Sequence, residues 1–333
     1  MSHQVERSEL IGRRAAMSPN DFDALALDVF RFQAKYSNVY KEFLQALQLV
    51  PDNVQHVSEI PFLPIEVFKH RDVQTGEWEA EAIFYSSGTS SSARSRHLVR
   101  SLEAYHQGCL DTFQGRLGPL RDVVILALLP HYLEAGNSSL VSMVSHFMNI
   151  SAHPLSGFFL HDFDQLRTQM EECMSQKVPF FLFGVSYALH DFAKRDALDI
   201  GDHGRIIETG GMKGRQQEML KFDLHAQLSQ AFSTSHIYSE YGMTELLSQA
   251  YSLADDWLIP ALTMKVLVKE LNDPMETVRG ARSGVMHIID LMNIDTCAFI
   301  ATADLGRRRL NGAFQILGRI DHSDLRGCQL LYI

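Results

Sequence analysis

Residues 84–100 read FYSSGTSSSARSRHLVR: an aromatic pair, a run of hydroxyl side chains around one glycine, and three arginines. Small residues let backbone N–H groups and Ser/Thr hydroxyls approach an anion closely, and Arg94, Arg96 and Arg100 concentrate positive charge on a chain whose formal net charge is −10. This chemistry suits a polyphosphate held in a loop after a strand. Composition alone favours a solvated Ser-rich linker. No Gly-Lys-Ser/Thr follows, so the stretch is not a Walker loop, and without Gly-x-Ser-x-Gly it is not a hydrolase elbow.

The surroundings repeat one pattern. The β-prone run Ala82–Tyr85 leads into the Ser-rich tract, Val123–Leu129 into PHYLEAGNSS, Arg205–Glu208 into TGGMKG, and His236–Ser239 into EYGMTE. Helical spacing follows these loops, which predicts a layered α/β fold with ligand-facing loops at the carboxyl ends of strands. Upstream, Phe22, Leu25, Val29, Phe32 and Tyr36 recur at helical spacing within 18–47, behind the cap pair Ser18–Pro19. IPFLPIEVFKH at 60–70 reads as a packed connector. In the last third, SGVMHIIDLMN, TCAFIATADLG and GAFQILGRIDHSDLRG predict a small mixed or antiparallel sheet. Residues 1–70 are expected to form a helical N-terminal part of the main domain and 71–333 its core. No repeat marks a solenoid.

With 333 residues, 46% hydrophobic and 21% charged, the chain can bury a sizeable core. Its negative charge opposes binding to nucleic acid or anionic membranes. MSHQVERSELIGRRAAM has no secretory apolar core and no run approaches the roughly 20 apolar residues of a membrane span, so a soluble cytoplasmic protein is expected. Cys109, Cys173, Cys297 and Cys328 form no CxxC pair, which offers no zinc spacing and suits a reducing compartment.

FYSSGTSSS, ETGGMKG, YSEYGMTEL, ATADLGRRR and ILGRIDHSDLRG follow one another in the order of the motifs of the adenylate-forming superfamily, which they closely resemble. Within it the chain looks like the LuxE-type acyl-protein synthetases, on SSGT at Ser86–Thr89, SRH at Ser95–His97, FLP…F across Phe62–Phe68, and RGC at Arg326–Cys328. The likeness runs from about residue 60 to the end. It implies an adenylate-forming large-domain fold: helical N-terminus, layered sheets with flanking helices, and a strand-rich C-terminal part.

The resemblance also implies roles. Ser86, Ser87, Gly88 and Thr89 would hold the β- and γ-phosphates of ATP, with Arg94 or Arg96 supplying charge where the family has a lysine. Tyr241 would stack on adenine, Thr244 lie near the α-phosphate, and Glu245 bind Mg²⁺, a hard cation suited to a carboxylate. Gly210 and Gly211 would lie beside adenine, Asp304 accept hydrogen bonds from the ribose hydroxyls, and Arg319 lie near ribose and phosphate. His131, Tyr132 and Ser138 would line the acyl site. Cys328, with Arg326 two residues away, would carry the acyl group as a thioester; the ordinary reading is an inert buried thiol. For the glycines, Asp304 and Arg319 the ordinary readings are a turn, a loop cap and a surface ion pair.

Two departures accompany these expectations. Ser90 and Ser91 stand where the family's loop has a glycine, which restricts the backbone. Only a short stretch follows GRID, so the small mobile domain with its catalytic lysine is expected to be absent: adenylation proceeds without it, Lys213 or a partner protein substitutes, or the domain is degenerate. His97, His131 and His161 belong to no Ser/His/Asp or HExxH arrangement and read as structural or binding residues. The implied activity is AMP-forming activation of a carboxylic acid, fatty by family, by Mg-ATP, then acyl transfer to Cys328, an acyl-carrier protein, a reductase or coenzyme A. An acyl- or aryl-CoA ligase of the phenylacetate type and a nucleotide-binding scaffold without turnover stay open.

Overall fold

The computed structural model describes residues 2–87, 94–130, 137–210, 221–253, 255–271, 273–278 and 282–320. Among them the helices are α1 His3–Ala16, α2 Phe22–Tyr36, α3 Asn38–Ala46, α4 Val67–His70, α5 Leu102–Leu117, α6 Ser139–Ser151, α7 Phe163–Gln176, α8 Ser186–Arg195 and α9 Lys221–Phe232. The strands are β1 Leu63–Pro64, β2 Ala82–Tyr85, β3 Arg96–Val99, β4 Val124–Leu128, β5 Gly157–Phe158, β6 Phe180–Val185, β7 Gly204–Thr209 and β8 Ile237–Tyr241. They continue as β9 Ala250–Ser252, β10 Leu258–Pro260, β11 Met264–Lys269, β12 Gly284–Asp290, β13 Phe299–Arg308 and β14 Phe314–Arg319. None of the described helices is long and apolar enough to cross a membrane.

The chain divides into two compact units: Met1–Tyr105 with Thr244–Ser248 and Ile259–Ile333, and His106–Met243 with Gln249–Leu258. In the second unit β5, β4, β6, β7 and β8 lie side by side and parallel, and β9 is antiparallel to β8. A parallel sheet is covered on both faces, and β4 and β6 are accordingly apolar throughout. Leu126, Phe180, Leu182 and Ile206 pack on α7, α8 and α9 through Met170, Leu189, Phe192, Leu228 and Phe232. From β6, Phe181 and Phe183 instead meet Phe113 of α5, at 5.1 and 6.0 Å between ring centroids. The parallel order brings the carboxyl ends of β4, β7 and β8 to one edge, as the strand-then-loop pattern predicts, and β6, which that pattern does not include, joins them.

The first unit is built differently. Strands β11 to β14 form an antiparallel meander, and β1, from the connector at 60–70, adds to β13 in parallel. α2 and α3 pack on this sheet: Phe30 and Tyr40 lie 6.0 and 6.1 Å from the ring of Phe299. The buried Gln33 amide donates to the Asn293 and Ile294 carbonyls at 2.8 and 3.1 Å and accepts from Ala298 N at 3.0 Å. Helix α1, which the sequence pattern does not reveal, buries only Leu10.

The Ser-rich tract departs from the expected strand, loop and helix. Antiparallel β2 and β3 flank it as a hairpin, with Phe84 opposite His97. The reason is legible afterwards: Ser95, His97 and Val99 are buried while Arg96, Leu98 and Arg100 are half-exposed, a period of two that belongs to a strand.

Candidate active site

At the neck of this hairpin Ser86 and Ser95 close on each other. Ser86 N donates to the Ser95 carbonyl at 3.1 Å, and Ser95 N donates to Ser86 Oγ at 3.0 Å. Arg94 Nε donates to the Ser86 carbonyl at 2.6 Å, with its guanidinium 5.5 Å from the Tyr85 ring centroid. Ser87 is exposed. Arg96 is paired with Asp72 at 2.8 Å, and Arg100 with Asp295 at 2.9 Å. Gly88, Thr89, Ser90 and Ser91 lie outside the described residues.

Two residues past Ser95, His97 is fully buried. Its Nδ1 lies 2.7 Å from the Thr244 carbonyl and its Nε2 3.1 Å from Thr296 Oγ1. A carbonyl only accepts, so Nδ1 carries the proton and Nε2 accepts from Thr296. Burial pushes the ring down to about 4 despite the Thr244 bond, which keeps it neutral.

Thr244–Ser248, a five-residue piece of the first unit, is held from three sides. Besides His97 on the Thr244 carbonyl, Asn293 Nδ2 donates to the Glu245 carbonyl at 2.8 Å. The buried Asp290 carboxylate accepts from Leu247 N at 2.8 Å, Ser248 N at 2.9 Å, Ser248 Oγ at 2.6 Å and Met292 N at 3.0 Å. Glu245 itself is buried. In the same unit Asp304 and Arg319 are cross-strand partners on β13 and β14, 3.6 Å apart at their charged atoms. The expectation of separate ribose and phosphate contacts thus meets an ion pair.

The second unit holds Gly210, Tyr241 and Ser138. Gly210, just past β7, has φ +73°, the left-handed region that favours glycine. Tyr241 ends β8 opposite Ala250. Ser138 caps α6, its Oγ accepting from Val141 N at 3.4 Å. His131, Tyr132, Gly211, Lys213 and Cys328 lie outside the described residues.

Between β7 and β8 the sequence reading missed a pair of buried carboxylates. Burial opposes ionisation of Glu208, but a hydrogen bond from His225 and the charge of Lys221, 3.2 Å away, outweigh it and hold the group at about 2. Ser186 Oγ lies 2.9 Å from Glu208 Oε2 and 2.7 Å from the Gly210 carbonyl. Glu240 accepts from Thr209 Oγ1, yet burial and the neighbouring Glu208 charge push it up to about 7. An acid inside an apolar strand run, as in HIIDLMN or RIIETGG, was the available signal, because a buried charge demands partners.

No three His, Cys, Asp or Glu side chains among the described residues form a metal cluster. A cation carried on nucleotide phosphates needs only one or two carboxylates, and Glu245 is of the right chemistry to supply one.

This arrangement of sheets is the fold of the adenylate-forming ligases. 2-Hydroxyisobutyryl-CoA ligase in complex with 2-HIB-AMP matches with a TM-score of 0.67 at 14% identity, over 92% of this chain and 69% of that one. ATP-bound MatB from Rhodopseudomonas palustris matches with 0.54 at 17% identity, over 73% of this chain and 49% of that one. The family model for acyl-protein synthetase, LuxE, matches residues 17–332, and the chain belongs to that family. A long-chain-fatty-acid–luciferin-component ligase of Photorhabdus luminescens is 40% identical over 67 residues, 20% of this chain and 57% of the relative. The chain thus matches little more than half the length of that curated relative.

Proposed function

We propose that this protein activates a carboxylic acid, fatty by family, with ATP. A carboxylate oxygen attacks the α-phosphorus, pyrophosphate leaves, and the acyl-adenylate then passes its acyl group to a thiol as AMP departs. The observation that supports this is the makeup of the first unit, which draws the Ser86 hairpin neck, Thr244–Glu245 and the Asp304–Arg319 pair from three separated parts of the chain.

In this reading Ser86, Ser87, Gly88, Thr89 and Arg96 receive the β- and γ-phosphates, Thr244 donates to the α-phosphate, and Asp304 and Arg319 position the ribose. Gly210, Gly211 and Tyr241 receive adenine, and His131, Tyr132 and Ser138 the acyl chain. Mg²⁺ would supply charge stabilisation on the phosphates, with Glu245 as its carboxylate. Donors already fixed before the reaction stabilise developing charge without reorganising, and buried positions favour that. Cys328 is the proposed acyl acceptor in the chain; an acyl-carrier protein, a reductase or coenzyme A are the external ones.

Exchange of labelled pyrophosphate into ATP, dependent on added fatty acid, is the test. Exchange is the expected result, and ATP binding with no exchange under a panel of aliphatic and aromatic acids would leave only a nucleotide-binding scaffold. Cys328→Ser then separates the half-reactions, since a hydroxyl lacks thiolate reactivity. It should keep exchange and lose hydroxylamine-sensitive acyl labelling of the protein; labelling equal to the parent's would move the acceptor off this chain's Cys328.

A further inference from the structure

His97 ends the SRH stretch that carries the family likeness but has no chemical role assigned to it, and it is the side chain that ties β3, at the foot of the Ser-rich hairpin, to the backbone of Thr244. We infer that His97 is a positioning residue: one imidazole, fixed as the Nδ1–H tautomer, sets the Thr244–Glu245 backbone relative to the hairpin that carries the Ser-rich tract. The inference rests on the adenylation reading for its consequence in catalysis, but its structural content can be tested without it.

The geometry favours this role over space filling. An apolar side chain would fill the site but leave the Thr244 carbonyl and the Thr296 hydroxyl without this partner, and buried polar groups are rarely left so. The far end of the link is itself anchored: the Thr296 carbonyl accepts from Thr75 Oγ1 at 2.6 Å, and His97 stands edge-on to Phe68 at 5.8 Å. Each ring nitrogen therefore has one partner and one direction. Reversing the tautomer would set an Nε2 donor against Thr296 and a bare Nδ1 lone pair against the carbonyl lone pairs of Thr244. Only one neutral ring state satisfies both neighbours, and in that state the ring ties β3 to the Thr244 backbone.

Two amide substitutions separate the contacts. The Asn amide nitrogen falls near the place of Nδ1 and can still donate to the Thr244 carbonyl, whereas the Gln amide reaches the place of Nε2 and Thr296. Both leave one buried partner unmatched and both lower stability, so stability does not distinguish a positioning from a packing role. With pyrophosphate exchange as the readout, His97→Asn should stay within about threefold of the parent kcat. His97→Gln should fall at least tenfold in kcat with little change in the KM for ATP, because substrate still binds and the group poised at the α-phosphate is displaced. Deuterium uptake across residues 242–250 should rise in the Gln variant and not in the Asn variant. Equal losses in the two variants, or equal uptake, would overturn the inference. If the parent itself exchanges no pyrophosphate, the adenylation reading fails, and the deuterium comparison still decides whether His97 holds this segment. Ring nitrogen-15 spectra of the unsubstituted protein give a direct check: the neutral Nδ1–H form is expected near neutral pH, and an Nε2–H form would refute the link.

Discussion

Asp290 and Glu240 are both buried carboxylates on strands, one in each unit, and they are partnered differently. Asp290 ends β12 and accepts four hydrogen bonds, three of them from Leu247 and Ser248, which offset much of its desolvation. Glu240, on β8, stands opposite Thr209 and accepts from its hydroxyl, but burial and then the charge of nearby Glu208 outweigh that donor and keep its proton up to about 7. Burial raises both; the difference lies in the partners, since Asp290 is a strut that holds a backbone segment whereas Glu240 has one hydroxyl and a neighbouring charge.

Removing the strut should have the largest effect. Asp290→Ala strands the N–H groups of Leu247 and Ser248 in a dry site, where each unmade bond costs about 1–3 kcal/mol, so a loss of about 3–5 kcal/mol in urea unfolding is expected. A loss below about 1 kcal/mol would mean that the donors find other partners and that Asp290 is no strut.

The other half of the contrast is a pH effect. A carboxyl raised from 4.5 to about 7 holds its proton in the folded state while the unfolded chain has released its own. Stability therefore falls as pH rises from about 4.5 through about 7, by up to about 3 kcal/mol from this group alone. His97 at about 4 and His287 at about 3 slope the other way below 6.5, since the unfolded chain takes up protons there first. The quantity to measure is thus the difference between the parent and Glu240→Gln from about pH 5 to 8. The variant should gain relative stability as pH rises; a flat difference would place Glu240 among ordinary carboxylates.

Glu245 sits on the segment that Asp290 holds, and its substitution separates chemistry from scaffolding. Glu245→Gln keeps the backbone contact with Asn293 and the size of the side chain while removing its charge, so the backbone of this segment stays held. Adenylation should drop at least tenfold, about 1.4 kcal/mol in the barrier, with a higher Mg²⁺ requirement. Unchanged exchange and unchanged Mg²⁺ dependence would reassign Glu245 to structure.

How far the sequence foretold these features follows from the range of the interactions. In the second unit β4, β7 and β8 were legible because they are short β-prone runs ending at small or polar loops, a local signal, whereas β6 at Phe180–Val185 was not picked out. The β2–β3 hairpin was not, because eight hydroxyl-rich residues mask the alternation of Ser95, His97 and Val99 on its far side. Asp304 and Arg319 were picked by motif, but their cross-strand pairing depends on the register of β13 and β14. The ties of His97 to Thr244 and of Asp290 to Ser248 span 147 and 42 residues, and no local pattern encodes a contact of that range.

The smallest expected effect concerns Arg96, whose guanidinium is paired with Asp72 while both side chains are about half exposed, at 43% and 50%. An ion pair so wet contributes about 0–1 kcal/mol, so Arg96→Gln and Asp72→Asn should each leave unfolding within that range. Their effects on nucleotide should be opposite. If Arg96 is drawn to phosphate, Asp72 competes for it: Asp72→Asn should lower the KM for ATP by about two- to fivefold, and Arg96→Gln should raise it by a similar factor. Added salt should shrink both differences, because exposed charges are screened within about 10 Å at 0.1 M. Equal KM values in the two variants would show that Arg96 serves only its carboxylate partner, and Arg94 would remain as the arginine of the tract closest to the hydroxyl run.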